Sequence, residues 1–560
     1  MKNLSRYKRM ETLDFPQRTW PFKRIEKAPI WCSVDLRDGN QALVEPMSVE
    51  EKIEMFNLLL KLGFKEIEVG FPSSSQIEFD FLRQLVERKL IPDDLQVQVL
   101  SQCREPLIEK TFESVKGIKN VIMHIYNPIS TLQRKVVFNK SKQEVKQIAL
   151  DAVEVVKRCS KKHDGNIILE YSPESFTATE LDFALEVCNE VTKAWGATPD
   201  KKVIINLPAT VELSTPNIYA DRIEWMNKNL ENRESVILSV HPHNDRGTGV
   251  AATELSLMAG AERVEGTLFG NGERTGNVDM LILAYNMFSQ GIDPNLNLSD
   301  IKEIMEVYER CTKLIIAPRH PYAGQLVFTS FSGSHQDAIN KGIHAMAKNK
   351  SPYWEVPYLL IDPADIGRKY EPVVRINSQS GKGGVAFVLE SFYGFQLPKG
   401  MQKEFADIIQ NISELQGEVS PEEIYREFRK NYILMKEPIH FLTCQITDTE
   451  LVENDYAILM KMTYKEFGVE KELEGVGRGP IDAVKVGFEN ALGLKLKVLD
   501  YTEHSLNSGS NVQAASYIQL LDRESNIATY GVGISSNITR STIRAMCSAV
   551  NRLFFLREQK

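Results

Sequence analysis

The chain has 560 residues, of which 42% are hydrophobic and 25% charged, with a formal net charge of −8. Such a composition excludes a disordered or fibrous chain, and its mild acidity leaves no electrostatic footprint for nucleic acid or an anionic membrane. One hydrophobic core stops growing near ~250–300 residues, so about three domains or subdomains are expected.

Residues 1–29 are polar, sprinkled with aromatics and broken by Pro16 and Pro21, and read as an extended arm. They hold no apolar run, so no signal peptide is read. From residue 30 short apolar, β-branched runs recur: 31–35, 66–70, 97–101, 121–126, 167–171, 203–207, 236–240 and 264–269. Most are separated by helix-like segments. In 48–62, Ser48 is placed to cap, Glu51 follows three residues later, and Ile53, Phe56, Leu59 and Leu60 share one face. Segments 144–159 and 179–195 read likewise. Eight such units within 30–300 predict an α/β fold with a closed (β/α)8 TIM barrel. An open doubly wound sheet is the alternative, but the segment Asp35-Leu36-Arg37-Asp38-Gly39-Asn40 after the first run lacks its glycine-rich fingerprint.

Residues 301–430 are helix-like with proline and glycine interruptions and read as linker subdomains. Within 431–560, strand-like runs at 440–447, 455–464, 495–501, 514–521 and 527–535 surround helix-like segments 481–492 and 539–555. That pattern predicts a small α+β domain, with two related halves as one reading of it. The seven cysteines are scattered with no CxxC spacing. They argue against a disulfide framework or a thiolate zinc site and fit a reducing, cytoplasmic setting. No stretch approaches ~18 uninterrupted apolar residues, so no membrane span is read.

Active sites of such barrels lie at the C-terminal strand ends. There the chain places Arg37-Asp38, His124-Ile125-Tyr126, Glu170 with Ser172 and Glu174, Asn206 with Thr210, His241-Pro242-His243, and Gly270 through Asn277. Side chains at i and i+2 of a strand point the same way. His241 and His243 therefore converge, and Asp38 completes a two-histidine, one-carboxylate set for Mg2+, Mn2+ or Zn2+. The alternative is a pair of solvated or core-bonded histidines. Asn277 is either a fourth ligand or a helix N-cap. Arg37 is either an anion-binding group or the partner of a neighbouring carboxylate. Glu174 serves either proton transfer or the cap of the 175–179 turn.

Taken together, these stretches resemble the 2-isopropylmalate synthase family, among the acyl-CoA-condensing, pyruvate-carboxylase-like barrel enzymes. The likeness runs through Asp35–Ala42, Lys65–Pro72, Tyr171–Glu174, Asn206–Glu212, His241–Asp245, Gly270–Asn277, Ser332–Asp337 and Asn377–Gly384, and on to the end of the chain. It implies an acyltransferase that condenses acetyl-CoA with 3-methyl-2-oxobutanoate in a Claisen-type reaction and then hydrolyses the thioester, the committed step of leucine synthesis. Asp38, His241, His243 and Asn277 would hold the metal, Mg2+ first among the three, with K+ a candidate activator. Arg37 would polarise the oxo acid, with His124, Ser172 and Thr210 lining its pocket and Glu174 near the acetyl group. His335, as base, and Tyr370 would reach the partner subunit's site, which implies a homodimer. Residues 431–560 would form a regulatory domain for inhibition by leucine, with Gly477, Gly479, Pro480, Ala483, Leu506, Ala514 and Ala515 at the effector site. Glycine turns before a helix suit a carboxylate; tight turns alone are the plainer reading. Citramalate and homocitrate synthases share the mechanism, because a methyl-scale difference in the pocket is worth only ~1–3 kcal/mol. A leucine-binding protein without catalysis is the reading from another class.

Overall fold

The computed structural model describes residues 3–330, 333–370, 382–416, 419–451, 455–506 and 513–558. They divide into two compact units. The first comprises 1–327 with 361–369, and the second 328–360 with 370–560.

The first unit is a closed parallel barrel of eight strands in chain order. They are β1 (Ile30–Ser33), β2 (Glu66–Gly70), β3 (Gln96–Gln102), β4 (Asn120–Pro128), β5 (Asn166–Glu174), β6 (Val203–Ala209), β7 (Val236–Pro242) and β8 (Arg263–Gly266). Around them run α1 (Val49–Leu62), α2 (Gln76–Glu87), α3 (Glu105–Ser114), α4 (Lys142–Ser160), α5 (Leu181–Trp195), α6 (Pro216–Asn229), α7 (Gly249–Met258) and α8 (Met280–Ser289). The expected Ser48–Glu51 capping box starts α1, with Glu51 N to Ser48 Oγ at 3.3 Å and Ser48 N to Glu51 Oε2 at 2.7 Å. Outward strand residues such as Ile67, Val69, Val121 and Met123 are fully buried under these helices. The arm docks on α6, where the buried Glu224 accepts from Thr19 N and Trp20 N and Asp221 accepts from Trp20 Nε1.

Helix α9 (Ile301–Thr312) packs on α1 within the first unit. Helices α10 (Gly333–Asn349), α11 (Lys382–Tyr393), α12 (Lys399–Gln416) and α13 (Pro421–Phe428) belong to the second, whose remaining strands form two antiparallel sheets. The first sheet holds β9 (Ile439–Leu451), β10 (Asp455–Glu466) and β11 (Val469–Gly477) and is followed by α14 (Pro480–Leu492). The second holds β12 (Leu496–Ser505), β13 (Ala514–Asp522) and β14 (Ile527–Ser535) and is followed by α15 (Ile538–Glu558). These two βββα halves have one more strand than the five expected runs. β11 escaped because its inward positions are Leu473, Gly475 and Gly477, so a single large apolar side chain marks its buried face. Among the described residues, no helix is long and apolar enough to cross a membrane.

A paired feature relates the halves. A methyl group at Gly475 would strike the carbonyl oxygen of Ala483 in α14, and one at Gly533 the carbonyl oxygen of Ser541 in α15. The third strand of each half thus needs glycine so that its helix can lie directly on the sheet. Gly475→Ala and Gly533→Ala should each destabilise the second unit by about 1–3 kcal/mol through overpacking. Differential scanning calorimetry of the full chain reads this as a lowered transition; an unchanged transition would show that the helices have room to move.

Candidate active site

The turn after β1 spans Asp35–Gly39, with Gly39 N on the Val34 carbonyl at 3.1 Å. Asp35 fixes it to the end of β8 by accepting Leu268 N at 3.0 Å and Ser33 Oγ at 2.8 Å. Burial outweighs those bonds and pushes Asp35 up to about 7. The turn aims Arg37 and Asp38 into a cavity of about 730 Å³ at the C-terminal end of the barrel.

Asp38, His241 and His243 meet there. Asp38 Oδ2 lies 3.3 Å from His241 Nε2 and 3.9 Å from His243 Nε2. Asn277 Oδ1 is 3.1 Å from His241 Nε2. One donor atom each from Asp38, His241 and His243 falls within 4.8 Å of the others. Asp38 Oδ2 and His243 Nδ1 are buried and accept no hydrogen bond among the described residues. A cluster of converging donor atoms, with Asp38 Oδ2 left without a partner, fits a divalent cation. Burial would raise Asp38, but Arg37 and His241 hold it well below the usual carboxylate range. Burial and the neighbouring His241 push His243 down to about 4, so it is neutral at pH 7. Asn277 does not cap a helix; Asp279 caps α8 through Ile282 N at 3.0 Å. Asn277 instead pairs with His243 in a β-bridge and donates Nδ2 to Asn271 O at 3.0 Å, which turns its oxygen toward His241.

The cavity's other polar wall is His124, buried on β4. Its Nε2 is 2.8 Å from Ser172 Oγ and its Nδ1 2.8 Å from Glu68 Oε1. Arg37 is the partner of neighbouring carboxylates. It donates to Asp38 Oδ1 at 2.7 Å and to Glu68, and it lines the cavity. Glu174 also lines the cavity, and burial raises its carboxyl; the 176–178 turn has no side-chain cap. Thr210 holds its loop through Oγ1, which accepts Ser175 N at 2.9 Å, and its carbonyl takes a hydrogen bond from Arg274. Arg274 also grips Asp245 Oδ1 at 2.6 Å, tying the loops after β6, β7 and β8 together.

Below the strand ends lies a layer that sequence reasoning missed. Arg263, fully buried, donates to Glu66 at 2.6 Å, Gln98 Oε1 at 2.6 Å, Ser239 Oγ at 2.9 Å and Glu265 Oε1 at 3.0 Å, and lies 3.3 Å from Glu170. Burial lifts Glu170 well above the usual range despite Arg263. Gln98 Nε2 bridges Glu68 Oε1 at 3.1 Å and Glu265 Oε1 at 2.7 Å. His124, Glu170 and Glu265 also have the spacing of a metal-binding set, but the Arg263 guanidinium already supplies the cation there. The signal was the alternation Glu66-Ile67-Glu68, Gln96-Val97-Gln98 and Arg263-Val264-Glu265, which places a charge or amide at two successive inward positions of three strands.

His335 and Tyr370 belong to the second unit. His335 is exposed on α10 and stacks on Tyr358 with ring centroids 4.1 Å apart. The Tyr370 hydroxyl is buried without a partner among the described residues, and burial raises it. Gly477 packs on α14, Gly479 precedes it with open space around its Cα, and Pro480 starts it. Ala483 and Ala515 are buried, Ala514 opens β13, and Leu506 N donates to Gln513 O at 2.8 Å. The 509–512 part of the proposed effector loop, Ser332 and most of the 377–384 motif lie outside the described residues.

Residues 28–307 match the HMGL-like family, a family of divalent-metal-dependent enzymes. With the geometry above, this defines the class as a metal-dependent barrel enzyme. Residues 325–390 match the alpha-isopropylmalate synthase post-catalytic domain-like family, and 418–554 the LeuA allosteric (dimerisation) domain. The chain is 52% identical to a 2-isopropylmalate synthase of Clostridium acetobutylicum over 98% of this chain and 99% of the relative. It is 54% identical to one from Brucella suis over 96% of each. A solved hydroxymethylglutaryl-CoA lyase of Pseudomonas aeruginosa aligns with 51% of this chain and 92% of its own at 20% identity and a TM-score of 0.42. The chain belongs to the 2-isopropylmalate synthase family, an acyltransferase family.

Arg263→Met should destabilise the fold by about 3–5 kcal/mol at pH 7.5, because it strands buried carboxylates. In the native chain burial opposes ionisation of Glu265, but Arg263 and His241 hold it well below the usual range. Its stabilising contribution is thus present above the unfolded value near ~4.3 and fades as pH falls. Without Arg263 the same carboxyl rises on folding, so the penalty should shrink between pH 7.5 and pH 5. Urea unfolding at both pH values measures this; an equal penalty at both would contradict it.

Proposed function

We propose that this chain joins the methyl carbon of acetyl-CoA to C2 of 3-methyl-2-oxobutanoate and hydrolyses the thioester, releasing CoA and 2-isopropylmalate. The observation that carries this reading is one cavity holding two kinds of group side by side. The Asp38–His241–His243 donors share it with Arg37, His124 and Ser172. A 2-oxo acid presents a carbonyl and a carboxylate that such a pair of walls receives together. A divalent cation on those donors, Mg2+ by preference with Mn2+ and Zn2+ as alternatives, supplies Lewis-acid polarisation of the ketone.

Arg37 faces the same oxygen with a guanidinium already braced by Asp38 and Glu68, so it opposes the charge that grows there as the new bond forms. His124 and Ser172, bonded to each other, hold the oxo acid's polar end, and Thr210 stiffens the adjoining loop. Glu174, its carboxyl raised by burial, stands near the acetyl group. His335 of a second copy takes the methyl proton, with Tyr370 beside it, so the working unit is a homodimer. Leucine binds in the second unit, around Gly477, Gly479, Pro480 and Ala483 and around Leu506, Ala514 and Ala515, and inhibits. Gly477 has a packing reason of its own, whereas Gly479 has open space around its Cα.

The test is CoA release from acetyl-CoA with 3-methyl-2-oxobutanoate, pyruvate or 2-oxoglutarate, with and without chelator and leucine. The first oxo acid should be turned over fastest, chelation should abolish turnover and leucine should suppress it. Arg37→Ala should lower kcat by roughly 10²–10³. Preference for pyruvate or 2-oxoglutarate would move the substrate assignment to citramalate or homocitrate synthesis; CoA release untouched by chelation would overturn the site.

A further inference from the structure

Glu265 has no part in the reaction just described, yet it is fully buried on β8 directly behind His241. Its Oε2 is 2.8 Å from His241 Nδ1 and accepts Asn206 Nδ2 at 3.1 Å. Its Oε1 accepts Gln98 Nε2 at 2.7 Å and Arg263 Nη1 at 3.0 Å. The Gln98 and Asn206 amide nitrogens and the guanidinium can only donate. They claim lone pairs of an ionised carboxylate and leave it nothing to donate toward His241. The imidazole must therefore carry its hydrogen on Nδ1. A ring that ligates a cation is neutral and keeps one N–H, so with Nδ1–H on Glu265 it is Nε2 that is free for the cation, on the side where Asp38 Oδ2 and Asn277 Oδ1 lie at 3.3 and 3.1 Å.

We propose that Glu265 is a positioning residue for the metal centre. It accepts the Nδ1 hydrogen of His241 and so fixes the tautomer and ring plane that turn Nε2 toward the cation. Carboxylates behind metal-bound histidines act this way, and their loss costs about 10–100-fold in affinity. The same oxygen reaches the oxo-acid wall, because Asn206 Nδ2 also donates to Ser172 Oγ at 3.0 Å. The proposal rests on Asp38, His241 and His243 being the metal ligands.

Glu66 separates positioning from simple charge balance. It too is a carboxylate partner of Arg263, at 2.6 Å, but no metal donor contacts it. In Glu265→Gln one oxygen remains for four donors. The guanidinium claims it, so the new amide nitrogen faces His241 Nδ1 and forces the hydrogen onto Nε2. Mn2+ is titrated into the metal-stripped full chain by electron paramagnetic resonance, with melting midpoints measured alongside. Glu265→Gln should bind Mn2+ about 10–100-fold more weakly than the native chain, whereas Glu66→Gln should stay within about twofold. Equal weakening in both variants, or none in Glu265→Gln, would overturn the proposal. No Mn2+ binding by the native chain would instead overturn the ligand assignment itself. If Glu265→Gln does not fold, 15N spectra of histidine-labelled native protein loaded with diamagnetic Zn2+ decide the matter. The His241 ring, identified by its loss in His241→Gln, should be protonated at Nδ1; a hydrogen on Nε2 would refute the role.

Discussion

The barrel interior depends on one fully buried cation, Arg263. Barrels of this kind are ordinarily filled by branched aliphatic side chains. Here the inward positions of β2, β5 and β8 carry Glu66, Glu68, Glu170 and Glu265. Burying carboxylates is costly unless each finds a cation or donors. Arg263 supplies the charge from below, and Arg37 supplies it from the rim to Glu68.

With the carboxylates held, the remaining side chains close a ring. Arg37 reaches Glu68, Glu68 His124, His124 Ser172, and Asn206 joins Ser172 to Glu265. Glu265 reaches His241, His241 faces Asp38, and Asp38 returns to Arg37. Gln98 crosses the ring between the two glutamates. Every barrel strand or the turn after it contributes a member. The proposed metal donors and the proposed oxo-acid wall are thus parts of one hydrogen-bonded object. Preorganised polar groups of this kind stabilise developing charge without a reorganisation cost during the reaction.

Much of this was legible in the sequence because the outward strand faces are apolar and the helices between them are amphipathic and capped. Eight runs and eight strands agree to within a few residues. Polar residues after the runs marked Arg37, Asp38, His124, Ser172, His241 and His243, since strand ends of a barrel share one rim. The inner layer was hidden by the same rule: Glu66, Glu68, Gln98 and Glu265 sit inside strands, where attention to the ends does not reach. β11 was hidden by its glycines, which pack closely but carry no hydrophobic signal. Asn277 was ambiguous because glycine turns precede ligands and helix caps alike; the cap turned out to be Asp279. The proposed roles of His335 and Tyr370 involve a second copy of the chain, which no single sequence displays.

The central claim is that the polar ring prepares one pocket for a cation and an oxo acid together. The most direct measurement is a crystal of the full chain grown with Mn2+ and 3-methyl-2-oxobutanoate, with data collected at the manganese edge. The account predicts one anomalous peak among Asp38, His241 and His243, with the oxo acid's carbonyl and carboxylate oxygens turned to it between Arg37 and His124. Manganese bound elsewhere, or oxo acid outside the ring, would contradict it.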